Sequence, residues 1–245
     1  MQTGKSLERK KKTMGTVKNK IFILHGWTYS TEKWTQFLDL IKQKGLDVEL
    51  LKIPGLTAPI KNPWEITDYV NWLKKIVEKE NEKVILIGHS NGGRISLWFA
   101  NKYPQLVKQL ILIDSAGIYH DDLAIRVKRF VFKSIAKIGK KITSSKLVEN
   151  ILYKTARETD YKESSPVMKQ TIRNLFRSDK FLNSTAIKIP TLIIWGKKDS
   201  VTPLADGILM NNKIKNSKLE IIETAHHSPQ FTDPEKVVKL IYEHL

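Results

Sequence analysis

Val84-Ile85-Leu86-Ile87 is an unbroken apolar run that ends in Gly88-His89-Ser90-Asn91-Gly92-Gly93-Arg94, after which helical spacing begins at Ile95. A chain that leaves a strand and enters a helix within so few residues must hold its turn residue in a strained backbone conformation. Glycines two positions away on either side remove the clash, so Gly88 and Gly92 leave Ser90 alone at the tip. The N–H groups and positive dipole end of the next helix then lie beneath the hydroxyl, available to a developing anion. Alone, the stretch admits two readings: Ser90 is a nucleophile, or it caps a helix in a glycine-rich turn.

The rest of the chain repeats the strand-then-helix pattern. Strands are expected at Lys20–Leu24, Asp47–Lys52, Leu110–Ile113, Pro190–Trp195 and Leu219–Ile222. Helices are expected after Ser30 (Trp34, Phe37, Leu38 and Ile41 at helical spacing, closed by Gly45), from about Trp64 to Glu80, from Ile95 to Tyr103 before Pro104, and from Pro234 to His244. Strands alternating with helices predict an α/β fold, a mostly parallel doubly wound sheet covered on both faces.

The interval 115–188 breaks this pattern. It has no strand-like run and offers helical stretches around Leu123–Ile138, Ser145–Tyr153, Ser165–Arg177 and Phe181–Ala186. Its Lys and Arg outnumber its Asp and Glu. A helical insertion between two strands must sit at an end of the sheet, so a cap is expected. The expected organisation is a basic flexible arm over 1–17, a core over 18–114 and 189–245, and a helical cap over 115–188.

Bulk properties exclude some classes. The chain of 245 residues is 41% apolar, enough for one sizeable core with an insertion. No apolar run approaches the roughly 18 to 20 residues of a membrane span, and no apolar segment follows Arg9-Lys10-Lys11-Lys12 as a secretory signal would require. With no cysteine, disulfides and thiolate-ligated metals are excluded, which suits a cytoplasmic location. The net charge of +17 is spread along the chain without an RNP, zinc-finger or helix-turn-helix signature, so it reads as a solvated surface and no nucleic-acid partner is expected.

In a parallel sheet, residues just past the carboxyl ends of the strands meet along one edge. Here those positions hold His25-Gly26-Trp27, Ser90, Asp199 and His227. A serine hydroxyl needs a base to take its proton, histidine can do so near neutral pH, and the histidine needs a carboxylate to hold its tautomer. The order Ser, Asp, His, each after its own strand, meets that requirement.

With these residues the sequence resembles the α/β-hydrolase superfamily, over nearly everything from Lys18 to Leu245. The matching pieces are the His-Gly-Trp turn, Gly88-His89-Ser90-Asn91-Gly92-Gly93, Trp195-Gly196-Lys197-Lys198-Asp199, and His227-Ser228-Pro229 followed by Asp233-Pro234-Glu235. The resemblance implies a cap between the family's sixth and seventh strands. It implies Ser90 as nucleophile, with the N–H groups of Asn91 and Trp27 as the oxyanion hole. Trp27's indole either lines the acyl pocket or packs in the core. Asp199 is implied as the acid; Asp114 is its rival, since some members carry the carboxylate after the preceding strand. Aligning Ser228-Pro229 makes His227 the base rather than His226, which stands where the family has a second glycine and is expected to crowd the site. His25 and His89 are expected to fix loops by hydrogen bonds.

The implied reaction is acyl transfer to water on small to medium carboxylic esters, with no cofactor and no metal. A lactone or a dienoate-type carbon–carbon bond are alternatives on the same residues, and a non-catalytic ligand- or anion-binding protein is the alternative from another class. Dehalogenase chemistry is disfavoured, because those relatives carry a carboxylate where Ser90 stands. Arg126, Lys128, Arg129 and Lys133 could attract an anionic substrate but read first as a solvated helix face.

Overall fold

The computed structural model describes residues 19–119 and 164–245. The basic arm, the stretches Leu123–Ile138 and Ser145–Tyr153, and the four cap cations lie outside the described residues. Six strands form one parallel sheet: β1 (Ile21–Leu24), β2 (Val48–Leu50), β3 (Val84–His89), β4 (Val107–Ile113), β5 (Thr191–Gly196) and β6 (Ser217–Ile222), in the order β2-β1-β3-β4-β5-β6. Among the described residues the α-helices are α1 (Thr35–Gln43), α2 (Ile66–Val77), α3 (Asn91–Lys102), α4 (Pro166–Ser178), α5 (Leu204–Lys213), α6 (Pro229–Thr232) and α7 (Pro234–Glu243).

The sheet explains why its strands read as continuous apolar runs. With a side-chain period of two, Phe22, Leu24, Leu86, Leu110, Leu112 and Trp195 face a core shared with α2, α3 and α5. Their neighbours Ile21, Ile23, Ile85, Ile87, Ile111 and Ile194 face a second core shared with α1 and α7. Both faces are covered, so the central strands are almost wholly apolar, with Lys108 and Gln109 at the start of β4 among the exceptions.

Element boundaries moved where tertiary bonds compete. β4 begins at Val107, earlier than expected, because Val107 and Gln109 pair with Val84 and Ile85 despite their polar neighbours. α2 begins two residues late. The N–H of Trp64 donates to Thr171 Oγ1 at 3.1 Å, and its carbonyl accepts from Asn174 Nδ2 at 3.2 Å. Those bonds to α4 hold Trp64 outside the helix, which starts where Glu65 N–H donates to Asp68 Oδ2 at 2.8 Å. α4 forms nearly as expected, its Ser165 Oγ accepting from the N–H of Met168. The helical stretch expected over Phe181–Ala186 is instead two 3-10 turns, Asp179–Phe181 and Ser184–Ala186. The insertion falls between the fourth and fifth of this sheet's six strands.

The topology makes one crevice. From β1 the chain moves outward to β2, then crosses back to lay β3 on the other side of β1, so the loops after β1 and β3 part at their carboxyl ends. The register aligns those ends: Leu24 with Gly88, His89 with Ile113, and Gly196 with Ile222. Among the described residues no helix is long and apolar enough to cross a membrane.

Candidate active site

Ser90 occupies the tip between β3 and α3 at φ 52° and ψ −118°. Such a conformation costs about 1–3 kcal/mol and persists only where the surroundings over-determine it. Here Ser90 N–H donates to the Ile113 carbonyl at 3.1 Å, while its own carbonyl accepts from Arg94 at 3.2 Å and Ala116 at 3.0 Å. The flanking glycines serve close approach rather than freedom of φ. A Cβ on Gly88 would lie 2.6 Å from Gly93 Cα, and one on Gly92 would collide with the Leu24 carbonyl of β1.

The structure brings Ser90, His227 and Asp199 into one hydrogen-bonded chain. His227 Nε2 lies 3.0 Å from Ser90 Oγ, and His227 Nδ1 lies 2.8 Å from Asp199 Oδ2. Asp199 is further held at Oδ1 by the N–H groups of Val201 (2.7 Å) and Thr202 (3.0 Å), and at Oδ2 by the Thr202 hydroxyl (2.7 Å). Burial alone would raise its pKa. The bond and charge of His227, with the Thr202 hydroxyl and the Val201 N–H, outweigh burial and hold the carboxyl below its ordinary value. Thr202 escaped notice in the sequence, although Asp199-Ser200-Val201-Thr202 has the spacing at which an aspartate receives N–H groups two and three residues on.

Asp114 lies beside this chain, against Asp199. It is fully buried at φ 42°, its Oδ1 accepts from Gly196 N–H at 2.8 Å, and its carboxyl meets that of Asp199. Burial first, then the Asp199 charge, push its pKa up to about 9, with the Gly196 N–H only partly opposing them. Asp114 therefore carries a proton at neutral pH. Asp114, Asp199 and His227 each offer a ligand atom within 4.8 Å of the others. A metal there would have to displace the proton of Asp114 and the His227–Asp199 bond together.

The remaining histidines divide clearly. His25 Nδ1 is 2.8 Å from the Gly26 carbonyl and Nε2 is 2.8 Å from Thr57 Oγ1, tying the loop after β1 to the loop after β2. Burial lowers its pKa despite the Gly26 carbonyl. His89 Nε2 donates to the His227 carbonyl at 2.8 Å; burial, then the charge of His227, lower its pKa to about 3. His226 is exposed, so the departure from glycine does not crowd the site.

A pocket of about 100 Å³ opens on Ser90 and His227, with Trp27, Trp34 and Phe231 as its aromatic walls. Lys33 is the formally charged residue among its described lining. Gly26 lies against Ser90: a Cβ there would be 3.0 Å from Ser90 Cβ, which sets Trp27 next to the hydroxyl. Asn91 opens α3 directly after it. Among the described residues neither the Trp27 nor the Asn91 backbone N–H makes a hydrogen bond. Trp27's indole packs on Ile172 of α4, beside Phe176, and among the described residues its buried Nε1 has no partner.

Comparison with known proteins gives this geometry a setting. The family model for Serine aminopeptidase, S33, matches residues 15–235. Mouse monoacylglycerol lipase ABHD6 is 25% identical over 255 aligned residues, covering 93% of this chain and 76% of that protein. The pimeloyl-[acyl-carrier protein] methyl ester esterase of Neisseria meningitidis is 21% identical, covering 95% of each. In fold, the chain is similar to MGS-MChE2, an α/β hydrolase enzyme from the metagenome of lagoon sediments at Mar Chica, Morocco. That match has a TM-score of 0.63 and 24% identity over 92% of this chain and 89% of the other.

Proposed function

The chain belongs to the serine aminopeptidase S33 family of α/β-hydrolases, and from that premise we propose that it is a serine hydrolase cleaving small to medium carboxylic esters through an acyl-enzyme. The observation that carries this reading is the unbroken chain from Ser90 Oγ through His227 to Asp199, at 3.0 and 2.8 Å. His227 Nε2 takes the Ser90 proton as Oγ attacks the carbonyl carbon. Asp199, already ionised, stabilises the imidazolium without accepting its proton. The oxyanion rests on the N–H groups of Trp27 and Asn91, which no protein acceptor claims among the described residues. The imidazolium then gives its proton to the leaving alkoxide. Water then attacks the acyl carbon as His227 takes one of its protons; the carbon–Oγ bond breaks, the proton passes from His227 to Ser90 Oγ, and the acyl group leaves as a carboxylic acid.

Esters are favoured over peptides with a free amino terminus by the charge of the pocket. An α-ammonium group calls for a facing carboxylate, and the described lining offers the cation Lys33 instead. The names of the two curated relatives, a lipase and a methyl ester esterase, support the same substrate class. The described part of the insertion over 115–188 borders this site through α4 and Trp27, as a cap would.

The test is a panel of p-nitrophenyl esters of graded acyl length, with a lactone and a dienoate, on wild type and Ser90→Ala. Short esters should turn over, and Ser90→Ala should lower kcat by at least about 10⁴-fold. Unchanged turnover in Ser90→Ala would overturn the mechanism. A lactone or dienoate consumed far faster than any ester would reassign the substrate.

A further inference from the structure

Arg94, one turn into α3, is buried, and each of its three guanidinium nitrogens donates a hydrogen bond. Nε and Nη2 donate to the two carboxylate oxygens of Asp179 at 2.7 and 2.9 Å, and Nη1 donates to Asn91 Oδ1 at 2.7 Å. The Phe176 ring lies 4.8 Å from Arg94 Cζ. Asp179 follows directly on α4, at the returning end of the insertion, and is itself buried.

As a source of stability this arrangement is poor. Desolvating both ions offsets most of their attraction, and apolar residues of similar volume hold such a place as well or better. Its placement carries more meaning. A guanidinium only donates, so the Asn91 amide must turn its oxygen toward Arg94. That fixes the side chain of the residue whose N–H follows the nucleophile, and among the described residues leaves buried Asn91 Nδ2 without a partner. An unpaired buried donor costs about 1–3 kcal/mol, which a smaller side chain at this position would avoid. Trp27, carrying the other oxyanion N–H, leans on Ile172, against which Phe176 also packs. Both oxyanion residues thus rest on a single stretch, 172–179.

We propose that Arg94, Asp179 and Phe176 are positioning residues for the oxyanion site: the returning end of the insertion clamps the two residues whose N–H groups receive the developing charge. The proposal rests on the assignment of Trp27 and Asn91 as the oxyanion donors. Losing one such donor outright lowers kcat by about 10²–10³-fold, so a donor displaced rather than removed should lose about 10–100-fold.

The test uses the full chain. Arg94→Met with Asp179→Leu removes both charges together, so neither ion is left buried alone. Ser90 sites are counted with a fluorophosphonate probe, and kcat per labelled site, KM and the Kd of a trifluoromethyl ketone are compared with wild type. The expected result is a 10–100-fold loss of kcat per site with KM within about 2-fold, and ketone affinity weakened in parallel. Arg94→Lys, which keeps the charge but not the three-way fork, should lose less, about 3–10-fold. If sites are fewer but kcat per site and ketone affinity are unchanged in either variant, the clamp is structural only and the proposal fails. If wild type itself does not label at Ser90, the functional reading has failed instead.

Discussion

Two aspartates stand just past the ends of neighbouring strands, Asp114 after β4 and Asp199 after β5, and a single histidine lies within 4.8 Å of both. The protein treats them oppositely. Asp199 receives two N–H groups, a hydroxyl and His227, and its pKa falls below the ordinary value; Asp114 receives one N–H, and its pKa rises to about 9. Burial pushes both upward, most of all Asp114; the donors aimed at Asp199 outweigh it there, while the one N–H at Asp114 does not. Once Asp199 is ionised, a second negative charge so close is repelled, and Asp114 keeps its proton.

The largest way to break this contrast is Asp199→Asn, which should lower kcat by about 10⁴-fold by removing the partner of the His227 Nδ1 proton. If Asp114→Asn costs more than Asp199→Asn, the acid has been placed on the wrong strand. Thr202→Val comes next. It deletes a donor to Asp199 Oδ2 and to the Asp114 carbonyl, and should cost about tenfold in kcat. It should also shift an acid-side loss. A depressed carboxyl stabilises the fold above its unfolded pKa of 3.8 and loses that contribution as pH falls through the lower folded value. With one donor gone the folded value moves up, so acid unfolding should begin at a higher pH than in wild type.

Asp114→Asn is smaller still in rate, within about threefold of wild type, but it should change stability with the opposite sign of pH dependence. Between 3.8 and about 9 folded Asp114 holds a proton that the unfolded chain has released, so wild-type stability falls as pH rises through that window. An asparagine has no such proton to hold. Melting curves should coincide below pH 4 and separate by pH 8, where the variant should melt on the order of 10 °C higher. Coincident curves at pH 8 would mean that Asp114 is ionised like its neighbour. His226→Gly should change kcat less than about twofold, since His226 is exposed.

How far the sequence reveals all this depends on distance along the chain. Strands buried on both faces are apolar without interruption, and the residues just past them collect at one edge, so Ser90, Asp199 and His227 could be read as a group before any coordinate. The sequence favours Asp199 over Asp114 as the acid, but a strand-like run cannot disclose a carboxyl's protonation state, which depends on the groups folded around each. Arg94 and Asp179 are 85 residues apart, and no local pattern pairs them. α5 was missed for a nearer reason. Gly207 in its middle weakens helical propensity, yet it is there because a Cβ would lie 2.7 Å from the Trp195 ring. Packing set that residue, against the local preference.

The three attachments of the returning arm have a practical corollary for exchanging substrate-facing segments between relatives. Trp64 is tied to Thr171 and Asn174, Arg94 to Asp179, and Asn101 to the Asn183 carbonyl. Everything from α4 onward is thus bolted to the catalytic body, and a foreign segment grafted across those joints would have to supply all of them anew. Ser164 is likewise bonded to the Tyr29 hydroxyl at 2.8 Å, so the seam for such a graft lies ahead of Ser164 and the 164–188 arm should travel with the core and not with the guest.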